Sequence, residues 1–453
     1  MTSAKDSAGA RKDTSLSPQT LHIQARLVQQ TQSGRKHWDL YRWLWDPYLL
    51  SDAIRLVLEN GGSAGLDGVD CESIRGREWE VAKALSQELR NKTYRPRPVR
   101  RVYIPKKDGR KRPLGIPSIT DRVVQRALGL LLEPIYEQVF LPCSYGFRPK
   151  KSAGECAATA SDLTYSHRYV LEADIESFFD HVSHRKLLKM LRDKIVDPRV
   201  LNLTLLILQA GFQELGKSWQ PTKEGTPQGG PLSPLLANIY LHYALDLKFQ
   251  EATKQYPKSK LVRFADDFII LSQTQSELQA FRRLIKQWMR EANLTLKETK
   301  TKVVDMRNKS RGHGSHYDFL GFKIHLRAFK DNPKRFWIAR QPSEKARKSL
   351  KENLKAKLRP NLSPGEAKNM AKSVWVGWGN YFRYGNSNHV LYREVRSVNR
   401  IVYRYLRMKY RNQRRPVPWR RLRPLAKWIM RAIRPPRLIP DLLKQMQAQP
   451  ALL

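Results

Sequence analysis

Two adjacent aspartates between two segments of strand length constrain the fold of this chain more than any other feature. Asp266 and Asp267 follow residues 261–265, which are mostly apolar, and precede the apolar residues 268–271. Short apolar segments on either side of turn-forming residues are typical of two strands joined by a tight turn. The sequence therefore predicts a hairpin with two carboxylates at its tip, although aspartate is also common in turns that merely face solvent.

A third carboxylate follows another apolar segment. Asp174 ends the segment that begins at Tyr169, and a carboxylate at the end of a buried strand is costly unless a cation pairs with it. Because Asp174 is far in sequence from the aspartate pair, only a shared sheet could bring the three together. Such a group would suit Mg²⁺, which prefers oxygen ligands. Two Mg²⁺ ions would promote phosphoryl transfer by activating a hydroxyl and stabilising the leaving oxygen.

The charge of the chain indicates a polyanionic partner. Its 453 residues include 84 Lys and Arg but only 41 Asp and Glu, which gives a formal net charge of +43. A surplus of this size repels itself unless a polyanion neutralises part of it, and nucleic acid is the obvious candidate. Aromatic residues make up 9% of the chain, which argues against a disordered basic tail. Charge and carboxylates together predict nucleotidyl transfer on a nucleic-acid template.

The sequence divides into four segments, and the third has the pattern of an α+β domain. Residues 1–35 are small and polar without a persistent period, so we expect a flexible arm. Residues 36–165 combine helical spacing with a basic hairpin between 95 and 112. In residues 166–330, segments of strand length alternate with helices. Residues 340–453 contain helical patterns only and end in a basic tail.

Capping residues and apolar spacing predict individual helices. One helix is expected over residues 40–59. A second is expected to be capped by Thr120 and to close before Pro134. Ser363 and Glu366 form a capping box that opens a third.

The last predicted helix begins near Ser387 and has an apolar face and a basic face. Its apolar positions recur at helical spacing and are Leu391, Val395, Val398, Val402 and Tyr405. The opposite face carries the arginine stripe, which consists of Arg393, Arg396, Arg400, Arg404, Arg407 and Arg411. We expect the apolar face to pack and the arginine stripe to meet solvent or phosphate.

Some types of site have no support in the sequence. The three cysteines form no C-x-x-C pair, so neither a disulfide framework nor a cysteine zinc site is expected. His313 and His316 lie in a Gly/Ser loop without other metal-ligand types nearby, which favours an ordinary loop. Apolar segments are far shorter than a membrane span, and the N-terminal residues lack a signal-peptide core. We expect a soluble, cytoplasmic protein with reduced cysteines and no membrane partner.

Five segments, in this order, resemble the successive palm motifs of reverse transcriptases. They are Asp-Ile-Glu-Ser-Phe-Phe-Asp at 174–180, Thr-Pro-Gln-Gly-Gly-Pro-Leu-Ser-Pro at 226–234, Phe-Ala-Asp-Asp at 264–267, residues 294–302, and Phe-Leu-Gly-Phe at 319–322. Residues 104–117 and 144–149 are similar to fingers motifs of the group II intron branch. Residues 375–382 are similar to the thumb of that branch, the maturase domain.

The resemblance implies a right-hand polymerase of the kind encoded in group II introns, a reverse transcriptase and maturase. Residues 36–165 would form the N-terminal extension and fingers, 166–330 the palm, and 340–453 the thumb or maturase domain. The sequence ends at Leu453 without the Cys-paired endonuclease domain that many members carry. We therefore expect an endonuclease-lacking member, which would need an existing 3′-hydroxyl at its target DNA.

The resemblance also implies roles for individual residues. Asp174, Asp266 and Asp267 would hold the two Mg²⁺ ions, and the main-chain carbonyl of Ile175 would be a further ligand. Phe179 matches the steric-gate position, where an aromatic ring excludes a 2′-hydroxyl, although a plain core aromatic is the alternative.

Four more positions match nucleotide-binding residues of the family. Lys106 and Arg112 would bind the triphosphate, and a solvated basic loop is the alternative. Gln228 and Gly229 would form the turn that approaches the incoming nucleotide, unless they form an ordinary turn. The arginine stripe would follow template–primer or intron RNA. The implied partners are group II intron RNA, an RNA template with a DNA primer, target DNA and deoxynucleoside triphosphates (dNTPs).

Three functions remain open from the sequence. The first is an RNA-directed DNA polymerase that also helps its own intron RNA to splice. The second is a splicing factor with a decayed polymerase, which the intact acids and Gln228 disfavour. The third is a stand-alone relative recruited to DNA repair or to acquisition of CRISPR spacers.

The family usually has Tyr where this chain has Phe264, so only a hydroxyl hydrogen bond is lost there.

Overall fold

The computed structural model describes residues 16–105, 111–307, 315–329, 332, 335–386, 388–410 and 424. The helices are α1 (Pro18–Gln32), α2 (Tyr41–Leu44), α3 (Pro47–Asn60), α4 (Glu78–Arg90), α5 (Ile119–Glu137), α6 (Ala153–Leu163), α7 (His184–Leu191), α8 (Pro198–Gln209), α9 (Ser233–Leu241), α10 (Leu247–Ala252), α11 (Gln275–Glu291), α12 (Glu344–Lys357), α13 (Pro364–Phe382) and α14 (Asn388–Lys409). The strands are β1 (Val99–Pro105), β2 (Lys111–Ile116), β3 (Tyr169–Asp174), β4 (Phe212–Gln213), β5 (Ser259–Phe264), β6 (Asp267–Ser272), β7 (Lys302–Asp305), β8 (His316–Phe319), β9 (Phe322–Ala328) and β10 (Phe336–Pro342). The predicted α+β class is confirmed.

A four-stranded antiparallel sheet lies between two apolar cores. Its strand order is β5-β6-β3-β7. Leu171 and Ile270 belong to the core that most of the helices up to α11 share, whereas their neighbours Val170 and Ile269 pack into a second core with α6, β8 and β9. Because both faces of the sheet are buried, a slip by one residue would exchange the two sets of side chains. The register therefore decides which side chains enter each core and which residues meet at the ends of the strands.

The first described residues form a helix, so the prediction of a flexible arm is wrong over α1. The Ser17 side chain caps this helix by accepting the Thr20 N–H at 3.3 Å. Ile23 and Leu27 lie one helical turn apart and are buried against the same core as α3 and α5. The buried face of α1 combines these two residues with Thr20 and Thr31, so the sequence shows no clear apolar period there. Ile23 and Leu27 suffice here because neighbouring helices cover them.

Helix α5 differs from its prediction at both ends. Ser118 rather than Thr120 caps it. The helix also continues past Pro134, which lacks the N–H that would bond to the carbonyl of Leu130. That carbonyl instead accepts a hydrogen bond from Gln24 Nε2 on α1 at 2.9 Å. A contact from another helix thus lowers the cost of a proline inside α5.

The predicted helix over 40–59 is divided in two. It separates into α2 and α3 at Asp46, whose side chain accepts the N–H of Tyr48 at 2.9 Å and caps α3. Pro47 occupies the first position of α3, where its missing N–H costs nothing. The strong local start signal therefore outweighs the continuous apolar pattern.

The predicted basic hairpin is confirmed. Strands β1 and β2 pair antiparallel from Arg100 opposite Ile116 to Pro105 opposite Lys111, and β4 joins β1 in parallel. Residues 106–110, which include the predicted triphosphate ligand Lys106, lie outside the described part of the chain.

The C-terminal described part combines a small sheet with three helices. The sheet has the order β10-β9-β8. The predicted capping box of Ser363 and Glu366 is present at the start of α13. Trp375 of α13 and Val398 and Val402 of α14 form a separate apolar core with α12. Among the helices of the described ranges, none is both long and apolar enough to span a membrane.

Candidate active site

One end of the four-stranded sheet brings the three predicted carboxylates together. Strands β3 and β6 pair so that Asp174 lies opposite Asp267. Strands β5 and β6 pair up to Phe264 and Asp267, which leaves Ala265 and Asp266 as a tight turn between them. The predicted hairpin and the predicted shared sheet are both present.

The turn that carries Asp266 has an unusual backbone. Ala265 has a φ of 55°, in the left-handed region that residues with a Cβ rarely adopt. The backbone of Gly146 passes so close that a Cβ there would lie 2.4 Å from the Ala265 nitrogen. Glycine is therefore required at position 146. The turn is held in its conformation by contacts that the local sequence does not supply.

A buried ion pair supports this turn. Arg263 is fully buried and donates from Nε to Asp246 Oδ1 at 2.8 Å and from Nη1 to the Ala265 carbonyl at 3.1 Å. Arg263 also donates to Asn238, which donates in turn to the carbonyl of Gly146 at 2.6 Å. These positioning residues were not predicted from the sequence. The signal in the sequence was an arginine within an apolar strand, because a buried arginine needs a buried partner.

Crowding of negative charge makes this end of the sheet attractive to cations. Burial raises the pKa of Asp266, and the charge of Asp174 raises it further. Partial loss of surrounding water, together with the charges of Asp266 and Asp174, raises the pKa of Asp267 to about 6, while part of its side chain stays in contact with solvent. Lys300 Nζ lies 2.6 Å from Asp174 Oδ2 and lowers the pKa of both other carboxyls.

Gln228 joins the basic hairpin to the segment after β3. Its Oε1 accepts a hydrogen bond from Arg112 Nε at 2.7 Å, its Nε2 donates to Asp180 Oδ1 at 3.0 Å, and its main-chain carbonyl accepts the N–H of Gly115 at 2.8 Å. Gly229 has a φ of 133°, and a Cβ there would lie 2.3 Å from the Gly115 carbonyl oxygen. The predicted nucleotide-binding residues Arg112, Gln228 and Gly229 thus form one contact region.

Known proteins match the part of the chain that carries this site. The family described as reverse transcriptase (RNA-dependent DNA polymerase) matches residues 104–324. The protein YkfC of Escherichia coli (strain K12) is 33% identical over 344 residues, which cover 68% of this chain and 88% of YkfC. The chain belongs to the reverse transcriptase family. The predicted enzyme class, RNA-directed DNA polymerase, is therefore confirmed.

Relatives encoded in introns assign this reverse transcriptase to the group II intron branch, as predicted. The group II intron-encoded protein LtrA of Lactococcus lactis subsp. cremoris is 41% identical over 218 residues, which cover 47% of this chain and 36% of LtrA. The chain thus matches little more than a third of that relative. A telomerase from Candida albicans, solved with a fragment of telomeric RNA, overlaps 74% of this chain and 64% of its own chain at 13% identity with a TM-score of 0.43. That overlap is too slight to decide the fold.

Reverse transcriptases use divalent metal ions, and the carboxylate end of the sheet fits such ions in charge and in donor type. Ile175 follows Asp174 directly and is buried. As the side chains stand, the described ranges contain no group of three or more His, Cys, Asp or Glu side chains arranged to hold a metal ion. Lys300 pairs with the Asp174 carboxylate instead. The donors are thus present, and a metal ion would have to compete with this ammonium group.

The segment that carries the predicted steric gate is joined to the segment before Gln228. The main-chain carbonyl of Phe179 accepts the N–H of Thr226 at 2.7 Å, and the half-buried ring of Phe179 packs on Phe178 with ring centroids 5.4 Å apart. The ring therefore belongs in part to the core, as the alternative interpretation expected. Its partial exposure leaves the steric-gate prediction open.

The arginine stripe lies on α14, in a different part of this reverse transcriptase. Its members up to Arg407 are exposed, and Leu391, Val398, Val402 and Tyr405 are buried on the other face. The predicted division of the helix into an apolar and a basic face is correct. Arg411 lies outside the described ranges.

Proposed function

We propose that this reverse transcriptase extends a DNA primer on an RNA template, with Asp174, Asp266 and Asp267 as the ligands of two Mg²⁺ ions. The observation that carries the proposal is the register of β3 and β6, which sets Asp174 opposite Asp267 beside the turn that holds Asp266. The main-chain carbonyl of Ile175 is the further ligand that we propose. When bound, the metal ions supply activation of the primer 3′-hydroxyl and charge stabilisation of the leaving pyrophosphate.

The chain's own residues prepare this site in two ways. The ion pair of Arg263 with Asp246 and its hydrogen bond to Ala265 hold the turn rigid, so the carboxylates do not have to be ordered during the reaction. Lys300 offsets part of the repulsion among the carboxylates when no metal ion is bound. We propose that it releases Asp174 when the metal ions bind.

The dNTP site that we propose lies where the basic hairpin meets Gln228. Arg112 and Lys106 would bind the triphosphate, and Gln228 and Gly229 would lie against the nucleotide. The exposed guanidinium of Arg112 donates to Gln228, so a bound triphosphate would have a cation and a glycine turn within one contact region. Phe179 would lie below the sugar as the steric gate.

We further propose that the protein binds group II intron RNA and assists its splicing and its copying into target DNA. The relatives encoded in introns support this proposal, and so does the exposed arginine stripe of α14. Arginine suits such a surface because its guanidinium group can hold a phosphate by two hydrogen bonds. The fingers, palm and thumb would correspond to residues 36–165, 166–330 and 340–453.

Primer extension with a matched pair of variants tests the polymerase site. Asp267→Ala should lower Mg²⁺-dependent extension by roughly a hundredfold or more, because metal ions supply several kcal/mol of charge stabilisation. Asp305→Ala is the control, since Asp305 pairs with Tyr169 at the opposite end of β3. Extension should persist in that variant. Normal extension by Asp267→Ala would exclude the proposed metal site.

A further inference from the structure

Phe147 is an exposed aromatic residue with a strained backbone beside the carboxylates. Its φ is 55°, which is a genuine outlier for a bulky side chain. It is 53% exposed, so its ring is not a core residue. The ring centroid lies 6.5 Å from that of Phe264, which pairs with Asp267 across β5 and β6. A strained residue of this kind persists only where the surrounding contacts enforce its conformation.

The contacts around Phe147 do enforce it. The preceding residues run beside β5 as an additional edge segment, in which Ser144 bridges Arg263 in parallel and the Tyr145 N–H donates to the Arg263 carbonyl at 2.9 Å. Gly146 is then fixed by Asn238 and by its close approach to the turn of the hairpin.

The residue after Phe147 is equally fixed. Arg148 is nearly buried, pairs with Glu137 at 2.9 Å, and donates to the carbonyls of Leu141 and Ser144 at 2.8 and 2.9 Å. These contacts hold the backbone on both sides of Phe147 while its own side chain projects outward. The scaffold therefore presents this ring to solvent instead of burying it.

We propose that Phe147 contacts the bound primer–template, as an apolar surface for base and sugar groups beside the reacting primer terminus. Phe147 lies beside Phe264, which pairs with Asp267, and Asp267 pairs with Asp174, so the ring lies at the same end of the sheet as the carboxylates. The exposed Lys150 and Lys151 that follow are available to phosphates. The inference rests on the proposed polymerase function and adds a substrate-binding residue to it.

Substitution by glycine separates binding from folding. Phe147→Gly removes the ring and also relieves the strain, because glycine adopts positive φ without cost. We expect a melting temperature equal to or above that of the wild type. We expect the dissociation constant for an RNA template annealed to a DNA primer to rise roughly 5- to 150-fold, the range for loss of one aromatic contact with a base. Phe147→Tyr keeps the ring and should bind as the wild type does.

Lys92→Gly is the matched control for strain relief. Lys92 has a φ of 60° at an exposed position after α4, so glycine relieves the same strain there without removing a ring. This variant should bind primer–template as tightly as the wild type. Unchanged affinity in Phe147→Gly would overturn the inference. A lower melting temperature in Phe147→Gly that Phe147→Tyr restores would also overturn it, because the ring would then serve folding. Primer extension by the wild type is measured separately, so failure of the polymerase proposal can be distinguished from failure of this inference.

Discussion

Single charges at the end of the four-stranded sheet decide how the site responds to pH. Asp267 has a pKa of about 6, above the ordinary value of 3.8, because of lost solvation and the neighbouring carboxylates. The folded chain therefore prefers the protonated form, and the stability contributed by that form is present below about pH 4. It is lost as the pH rises through 6, since ionised Asp267 then faces two other negative charges.

Asp267→Asn should make the metal-free protein less sensitive to this pH change. The free energy of unfolding of the variant minus that of the wild type should increase from pH 5 to pH 8. We expect an increase of roughly 1 kcal/mol at most, because solvent screens an exposed carboxylate. Thermal melting in the presence of a chelator at both pH values measures the difference. Equal differences at the two pH values would show that repulsion at Asp267 does not affect folding.

The side chain of Phe179 tests whether the steric gate is correctly assigned. Phe179→Val should admit ribonucleotides with a modest loss of dNTP use, because a smaller side chain leaves room for a 2′-hydroxyl. Its half-buried ring also packs on Phe178, so we expect a cost in stability of about 1 to 3 kcal/mol. Incorporation of each nucleotide type is compared at equal concentration. Undiminished discrimination against ribonucleotides would assign the gate to another residue.

At the scale of elements, the proposed RNA surface depends on one face of α14. Replacement of Arg396, Arg400 and Arg404 by Gln keeps a strong helix former at each position. Each phosphate contact removed should reduce the slope of log K against log salt concentration by roughly 0.7 to 0.9, so the triple variant should lose about two units. Filter binding of structured RNA over a range of salt concentrations measures the slope.

The control for this experiment removes three cations that are already neutralised. Arg75, Arg77 and Lys254 are exposed, and each is paired with a glutamate of its own segment. Their replacement by Gln should change the slope little, because neutralised side chains contribute little to counterion release. An unchanged slope in the α14 variant, with a normal melting curve, would mean that the arginine stripe only faces solvent.

At the scale of the whole molecule, the polymerase site and most of the arginine stripe lie beside different cores. The carboxylates lie at the end of the four-stranded sheet, whereas α14 packs mainly with α12 and α13 and reaches a core of the sheet only through Leu391 in its first turn. We therefore expect two activities that can be separated by mutation. The variant Asp266→Ala should lose primer extension but should still lower the Mg²⁺ concentration at which a cognate intron RNA splices. Splicing assays over a Mg²⁺ series check this, and loss of assistance would show that the carboxylates serve both activities.

The sequence by itself determined the parts of this protein that depend on local pattern. Apolar segments around Asp266 and Asp267 predicted the hairpin, the capping box at Ser363 predicted the start of α13, and alternating apolar and basic positions predicted the two faces of α14. These features follow from backbone geometry and side-chain spacing within a short stretch. The order of the motifs was likewise enough to indicate the family.

The tertiary structure decided what depends on partners distant in sequence. The helix α1 forms because other helices cover Ile23 and Leu27, and Pro134 is tolerated inside α5 because Gln24 reaches the Leu130 carbonyl. The pairing of Arg263 with Asp246 was equally invisible in the sequence. In each case a buried polar or apolar group is satisfied by an element that no local pattern identifies.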